Sequence, residues 1–193
     1  KIKPGQMGLI NSEGLTLKNY YTVERKPLAR MSFDGAADEL KSRLTIAVKD
    51  RLISDVPLGT FLSGGVDSSI ISAIAKRHKD DLNTFSIGFD HQYFNESDYS
   101  KIVADHIGSK HHEFIIDKQM FKEHFHDFLD SIDEPFGDSS AFAMFLLAKE
   151  TKKHVTVALS GDGADELFAG YRKHRAELRL RMMSGTRKAG IKG

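Results

Sequence analysis

The sequence predicts an α/β domain: a parallel sheet, doubly wound, with helices on both faces. Two observations predict it. From Asp34 onward, short apolar runs alternate with stretches of ten or more residues whose apolar positions recur at helical spacing. Two glycine-rich segments, Ser63–Ser69 and Ser160–Glu166, each follow an apolar run and precede a helical pattern. Short strands separated by helices call for a sheet buried on both faces. Right-handed crossovers then set all the strand C-termini along one edge, where open α/β sheets bind ligands.

The elements follow in order. Residues 1–33 read as a hairpin and a linker, with Pro4-Gly5, Asn11 to Gly14 and Pro27 punctuating Met7–Ile10 and Leu15–Tyr21. Such a piece is too small to build its own core. Asp34 is the expected N-cap of a helix marked by Leu40, Leu44, Ala47, Val48 and Leu52. Val56–Leu62 reads as a buried strand, Ser68–Arg77 as a helix and Thr84–Phe89 as the second strand. Ser97–Ile107 is expected to be a helix with Tyr99, Ile102, Val103 and His106 on one face, stopped by Gly108. Glu113–Ile116 is the third strand, and Phe121, Phe125, Phe128, Leu129 and Ile132 mark the next helix. Ala141–Lys152 is another helix, Val155–Leu159 the fourth strand, and Leu167–Tyr171 begins a helix after the second glycine-rich turn.

Composition narrows the function. A chain of 193 residues with 40% hydrophobic and 28% charged residues can bury one sizeable core. It has no cysteine, which excludes disulfides, cysteine-based zinc sites and a cysteine nucleophile within it. A formal net charge of +1 suggests no polyanion partner, although residues 172–193 carry eight Lys or Arg against Glu177 alone. That stretch reads as a solvated helix face or the start of a further domain rather than a nucleic-acid site. No apolar run approaches a membrane span and the N-terminus has no signal-peptide core. A cytoplasmic protein with no membrane partner is the expectation.

The turns carry the chemistry. In Ser63-Gly64-Gly65-Val66-Asp67-Ser68-Ser69 the glycines let backbone approach a ligand, the following helix adds partial positive charge, and the serines add hydroxyls. This is a cradle for phosphate oxygens, without the lysine of a Walker A loop. Asp67 would repel bare phosphate and makes sense as a Mg²⁺ ligand. Ser160-Gly161-Asp162-Gly163-Ala164-Asp165-Glu166 sets three acids at a strand end. Helix capping accounts for some of them, and a metal role is expected for at least one.

These residues resemble a known family. Ser63–Ser69 is similar to the SGGxDS loop of the N-type ATP pyrophosphatases (PP-loop superfamily). The segment from Ser160 to Tyr171 resembles SGEGxDExFxGY of the glutamine-hydrolysing asparagine synthetases, and His111-His112-Glu113 and Asp133-Glu134-Pro135-Phe136 also sit where that family has similar runs. The resemblance implies a Rossmann-like, adenine nucleotide alpha hydrolase-like domain over residues 34–193, truncated at its C-terminus, after the end of a glutaminase-type domain in residues 1–33. It implies that Ser63, Gly64, Gly65, Asp67 and Ser68 hold the pyrophosphate of ATP, that Leu62, Ile87, Ser160 and Gly161 contact adenosine, and that Asp67 and Asp165 bind Mg²⁺. Asp162 takes the place of the family's catalytic glutamate and is one carbon shorter.

The activity so implied is ATP-dependent amidation of aspartate to asparagine, with AMP and pyrophosphate as products and ammonia supplied by a glutaminase domain. The cysteine that releases that ammonia, and a functional lysine, would lie outside these residues. A homodimer is the assembly allowed for. The alternatives are a ligase acting on another carboxylate, such as a sugar acid or a β-lactam precursor, and a non-catalytic nucleotide-binding module. The nine histidines are not expected to form a metal site: His111 and His112 point to opposite faces of a strand, and His124 and His126 are two apart on a helix.

Overall fold

A computed structural model describes residues 2–24, 30–90, 97–135 and 137–189, in two units, 1–39 and 40–193. In the first, β1 (Gln6–Asn11) and β2 (Gly14–Asn19) form the expected antiparallel hairpin, with Gly8 opposite Leu17. Asn11 Oδ1 accepts the Glu13 amide at 2.9 Å, and Gly14 takes φ 121°, which favours glycine. No residue of either strand is buried, as expected for a piece without a core. Pro27, expected in the linker, lies outside the described residues. Helix α1 runs Phe33–Arg51, and its residues from Leu40 onward belong to the second unit. Its cap is Ser32, whose Oγ accepts the Gly35 amide at 3.1 Å. Asp34 therefore sits inside the first turn, where it complements the dipole instead of capping it.

In the second unit come β3 (Leu58–Phe61), α2 (Val66–Lys76), β4 (Asn83–Phe89), α3 (Ser97–Ile107), β5 (Lys110–Ile116), α4 (Lys118–Asp130), α5 (Ser140–Thr151), β6 (Val157–Leu159), α6 (Ala164–Phe168) and α7 (Arg172–Ala189). The four strands are parallel in the order β5-β4-β3-β6. The chain moves outward from β3 through β4 to β5, then returns to lay β6 on the other side of β3. That reversal makes the C-terminal ends of β3 and β6 a switch point, the usual crevice of an open α/β sheet.

Alternation along β4 separates the layers. Phe85, fully buried, points to one face with Leu147 of α5, Val155, Phe61, Ile87 and Phe114. Burying a phenylalanine this completely stabilises by about 2 kcal/mol. Thr84 and Ser86 point to the other face, where Ser100 of α3 bonds Ser86 and, on neighbouring β3, Thr60 bonds Ser72 of α2. On that side Val48, Ile74, Ala75 and Leu82 form a second apolar cluster with Leu44, Leu52, Ile71 and Leu159. Helix α4 joins α5 through phenylalanines, Phe121 lying 4.7 Å and Phe128 5.3 Å from Phe142. Asp117 caps α4, its Oδ1 accepting the Met120 amide at 2.7 Å.

Three expectations need correction. The buried face of α3 is Ser97, Ser100 and Ala104, whereas Tyr99 and Ile102 are exposed. Small residues let α3 lie close to β4 and to the loop after β3, and their hydroxyls are hydrogen-bonded. Helix α2 begins at Val66, so Asp67 and Ser68 belong to its first turn. Helix α6 begins at Ala164 and ends at Phe168, because Ala169 turns left-handed at φ 58°. Gly108 does stop α3, with φ 69° and the Ser109 amide bonded to Ala104 O at 3.1 Å. No helix among the described residues is long and apolar enough to cross a membrane.

Candidate active site

The turn after β3 is built by its own serines. Ser63 Oγ and Ser68 Oγ lie 3.0 Å apart, Ser68 Oγ accepts the Ser63 amide at 3.2 Å, and Ser63 Oγ accepts the Gly65 amide at 3.3 Å. These bonds fix the loop's shape. Gly65 precedes α2 without a side-chain cap, which leaves first-turn amides for water or an anion. Gly64 has a different task. At φ 83° its α-carbon faces α3, where a Cβ would stand 2.5 Å from Tyr99 Cβ and 2.6 Å from Ser100 N.

The turn after β6 lies against the first. A Cβ on Gly161 would stand 3.0 Å from Asp67 C and from Ser68 N, and 3.1 Å from Asp67 Cβ. Ser160 Oγ donates to Asp162 Oδ2 at 2.9 Å. Gly163, at φ 89°, reverses the chain into α6 and carries Asp165 and Glu166 into its first turn. Tyr171 donates its hydroxyl to Glu166 Oε1 at 2.8 Å. That bond holds the Glu166 carboxyl below its ordinary range and raises the Tyr171 phenol.

Between the turns opens a cleft of about 650 Å³. Of the residues singled out in the sequence, Leu62, Ser63, Gly65, Asp67, Ser68, Ile87, Ser160, Gly161, Asp162 and Asp165 all line it, and Gly64 stands behind it. Leu62 is fully buried. Sequence reasoning missed Ser86, Ser97, Ser100 and Tyr171, which also line the cleft. The alternation Thr84-Phe85-Ser86-Ile87 was the available signal, since it marks one face of β4 as polar. Asp133 and Glu134 fall in the connection between α4 and α5, and Phe136 lies outside the described residues.

The donor set suits a hard cation. Carboxylates from both turns, Asp67 and Asp165, line one cleft, and Mg²⁺ is commonly held by one or two carboxylates plus phosphate oxygens and water. Among the described residues no group of three or more His, Asp or Glu is arranged as a metal cage, so such an ion would need oxygens from its ligand. Both nitrogens of His111 are bonded to hydroxyls, Nδ1 to Thr84 at 2.9 Å and Nε2 to Ser86 at 3.1 Å. His112 faces the opposite side, 3.0 Å from Asn83 Oδ1.

Asp165 owes its place to Gly170, whose α-carbon it covers with its carboxylate. Gly170→Ala is expected to rotate that carboxylate and to raise the Mg²⁺ concentration needed for nucleotide binding about tenfold. Stability should change by less than about 1 kcal/mol, because the displaced group is the end of a side chain. Magnesium titrations with and without nucleotide check it, and an unchanged Mg²⁺ requirement would count against Asp165 as a ligand.

A family model described as asparagine synthase matches residues 39–189. Asparagine synthetase (glutamine-hydrolysing) 1 of Bacillus subtilis (strain 168) is 39% identical over 193 residues, 97% of this chain and 30% of that protein. Putative asparagine synthetase (glutamine-hydrolysing) 2 of Methanocaldococcus jannaschii is 45% identical over 139 residues, 71% of this chain and 27% of that protein. The chain thus spans about 30% of the length of these relatives. The solved structure of NMN synthetase from Francisella tularensis overlays 69% of this chain and 58% of its own at a TM-score of 0.49 and 14% identity, too loose a likeness to bear on the chemistry.

Proposed function

Because the chain belongs to the asparagine synthase family, we propose that its cleft takes Mg²⁺-ATP and serves the amidation of aspartate to asparagine, releasing AMP and pyrophosphate. The observation that carries this reading is the packing of Gly161 onto Asp67 and Ser68. It sets an uncapped helix end and a hydroxyl-rich loop beside carboxylates, a pairing that suits a metal-loaded triphosphate better than a bare anion.

In this reading Ser63, Gly65, Ser68 and the first amides of α2 receive the β- and γ-phosphates, while Gly64 holds the loop in place. Leu62, Ile87, Ser160 and Gly161 border the adenosine. Asp67 and Asp165 hold the Mg²⁺, which when bound offsets the negative charge that grows on departing pyrophosphate. The substrate carboxylate attacks the α-phosphorus, the bond to the β-phosphate oxygen breaks, and an acyl-adenylate forms. The loop donors are placed where that charge develops. Ammonia then attacks the acyl carbon, Asp162 accepts a proton from it, and the carbon–oxygen bond to AMP breaks. Residues 1–33 are proposed as the end of a glutaminase-type domain that supplies the ammonia, and 34–193 as the synthetase domain, in a cytoplasmic protein.

Incubation with Mg²⁺, ATP, aspartate and ammonia tests the proposal. AMP and pyrophosphate formed only when aspartate is present are expected. ADP and phosphate would overturn it, and turnover with a different acid would move the assignment to that acid. Asp67→Asn is expected to weaken Mg²⁺-ATP binding by about 10- to 100-fold, measured by calorimetry. Unchanged affinity would remove Asp67 from the metal site.

A further inference from the structure

The face of the sheet turned towards α2 and α3 carries a connected polar seam. Thr84 Oγ1 meets Ser109 Oγ and His111 Nδ1, each at 2.9 Å, and His111 Nε2 meets Ser86 Oγ at 3.1 Å. Ser100 Oγ lies 3.2 Å from Ser86 Oγ and donates to Ser97 O at 2.8 Å. Two residues along β5, on the same face, Glu113 pairs with Lys101 at 2.8 Å and accepts a hydrogen bond from Ser97. Glu113 of β5 thus holds the first turns of α3 directly, at Ser97 and Lys101, and His111 reaches Ser100 through Ser86. Thr84, Ser86 and Ser100 are all buried. The gripped turn is the one against which Gly64 rests, and Ser86, Ser97 and Ser100 form part of the cleft wall.

Burial lowers the His111 imidazole from its ordinary value, with Glu113, Lys101 and Asp105 as the charged groups acting on it. A neutral imidazole offers one donor and one acceptor, which is what two bridging hydroxyls need from it.

We propose that His111 is a positioning residue for the loop Ser63–Ser68: by bridging Thr84 and Ser86 it holds Ser100, and with it the α3 backbone that supports Gly64. The inference rests on the reading of that loop as a pyrophosphate cradle, so its test includes one measurement that needs no ligand. Amide hydrogen exchange of Gly64, Gly65 and Val66 is followed in the ligand-free chain, and binding of inorganic pyrophosphate with Mg²⁺ is titrated separately. His111→Phe, which fills the space but cannot bridge, is expected to speed exchange at the three amides about tenfold and to weaken pyrophosphate binding by a similar factor. His111→Gln, which can donate and accept, should stay within about threefold of the parent. Ser86→Ala removes the other end of the bridge with little change in volume and should reproduce the His111→Phe effect if that variant does not fold. Unchanged loop exchange in folded His111→Phe and Ser86→Ala would overturn the proposal, as would faster exchange spread equally over α4 and α5. Faster loop exchange in these variants of a parent chain that itself binds no pyrophosphate would sustain the buttress and sink the ligand reading instead.

Discussion

Gly64→Ala is expected to abolish measurable nucleotide binding and to destabilise the chain by about 2–4 kcal/mol. Two costs add. The residue sits at φ 83°, where a side chain is strained. Its Cβ would also meet Tyr99 Cβ at 2.5 Å, with Ser100 N and Tyr99 C at 2.6 Å, and two of these three atoms are backbone. Neither the helix nor the loop can yield cheaply, because α3 is tied to β4 by the buried Ser100 hydroxyl and to β5 by Glu113. Gly65→Ala is the matched control, since φ there is −68° and a Cβ would meet only Ser63 Oγ at 3.3 Å. It should retain stability within about 1 kcal/mol. Denaturant midpoints and titration with an ATP analogue measure both, and equal behaviour of the two variants would contradict the assigned division of labour.

The second large effect is expected at Asp162. Asp162→Asn should lower amide formation by about 10²–10⁴-fold, the range for loss of a positioned acid–base group. Nucleotide affinity should change little, since the residue is exposed at the cleft rim and its bonds are to Ser160. Asp162→Glu, which restores the side chain typical of the family segment, should keep most of the activity. Single-turnover measurement separates acyl-adenylate formation from ammonia transfer. A variant that fails at the first step, with ATP unconsumed, would place Asp162 in adenylation or binding rather than in proton transfer.

The layered sheet was legible because Val, Ile, Leu and Phe carry strong periodic signals, and the four strands and helices α2 to α5 of the second unit fall where the pattern puts them. The errors have physical causes. The face that marks α3 in the sequence is not its buried one, because its interior positions are Ser97, Ser100 and Ala104, which read as polar or neutral until their hydrogen-bond partners are known. Asp34 and Ser32 are both good caps on paper, and only the Gly35 amide distinguishes them. The end of α6 depends on an alanine at φ 58°, a conformation that composition does not announce. At the site, glycine and acid spacing revealed both turns, and strand-order rules placed them on one edge. That they touch, Gly161 against Asp67, required the structure. The bond from Tyr171 to Glu166 likewise depends on the left-handed turn between them.

The order β5-β4-β3-β6 also bears on when the site can come into being. Strands β3, β4 and β5 are linked by short crossovers, but 95 residues separate Phe61, the end of β3, from Val157, the start of β6. Closing so long a loop is slow compared with local pairing. A chain emerging during synthesis could thus present the serine-rich turn long before any acid stands opposite it. Until Leu159 settles beside Thr60, the growing protein has only one of the two turns that wall the cleft.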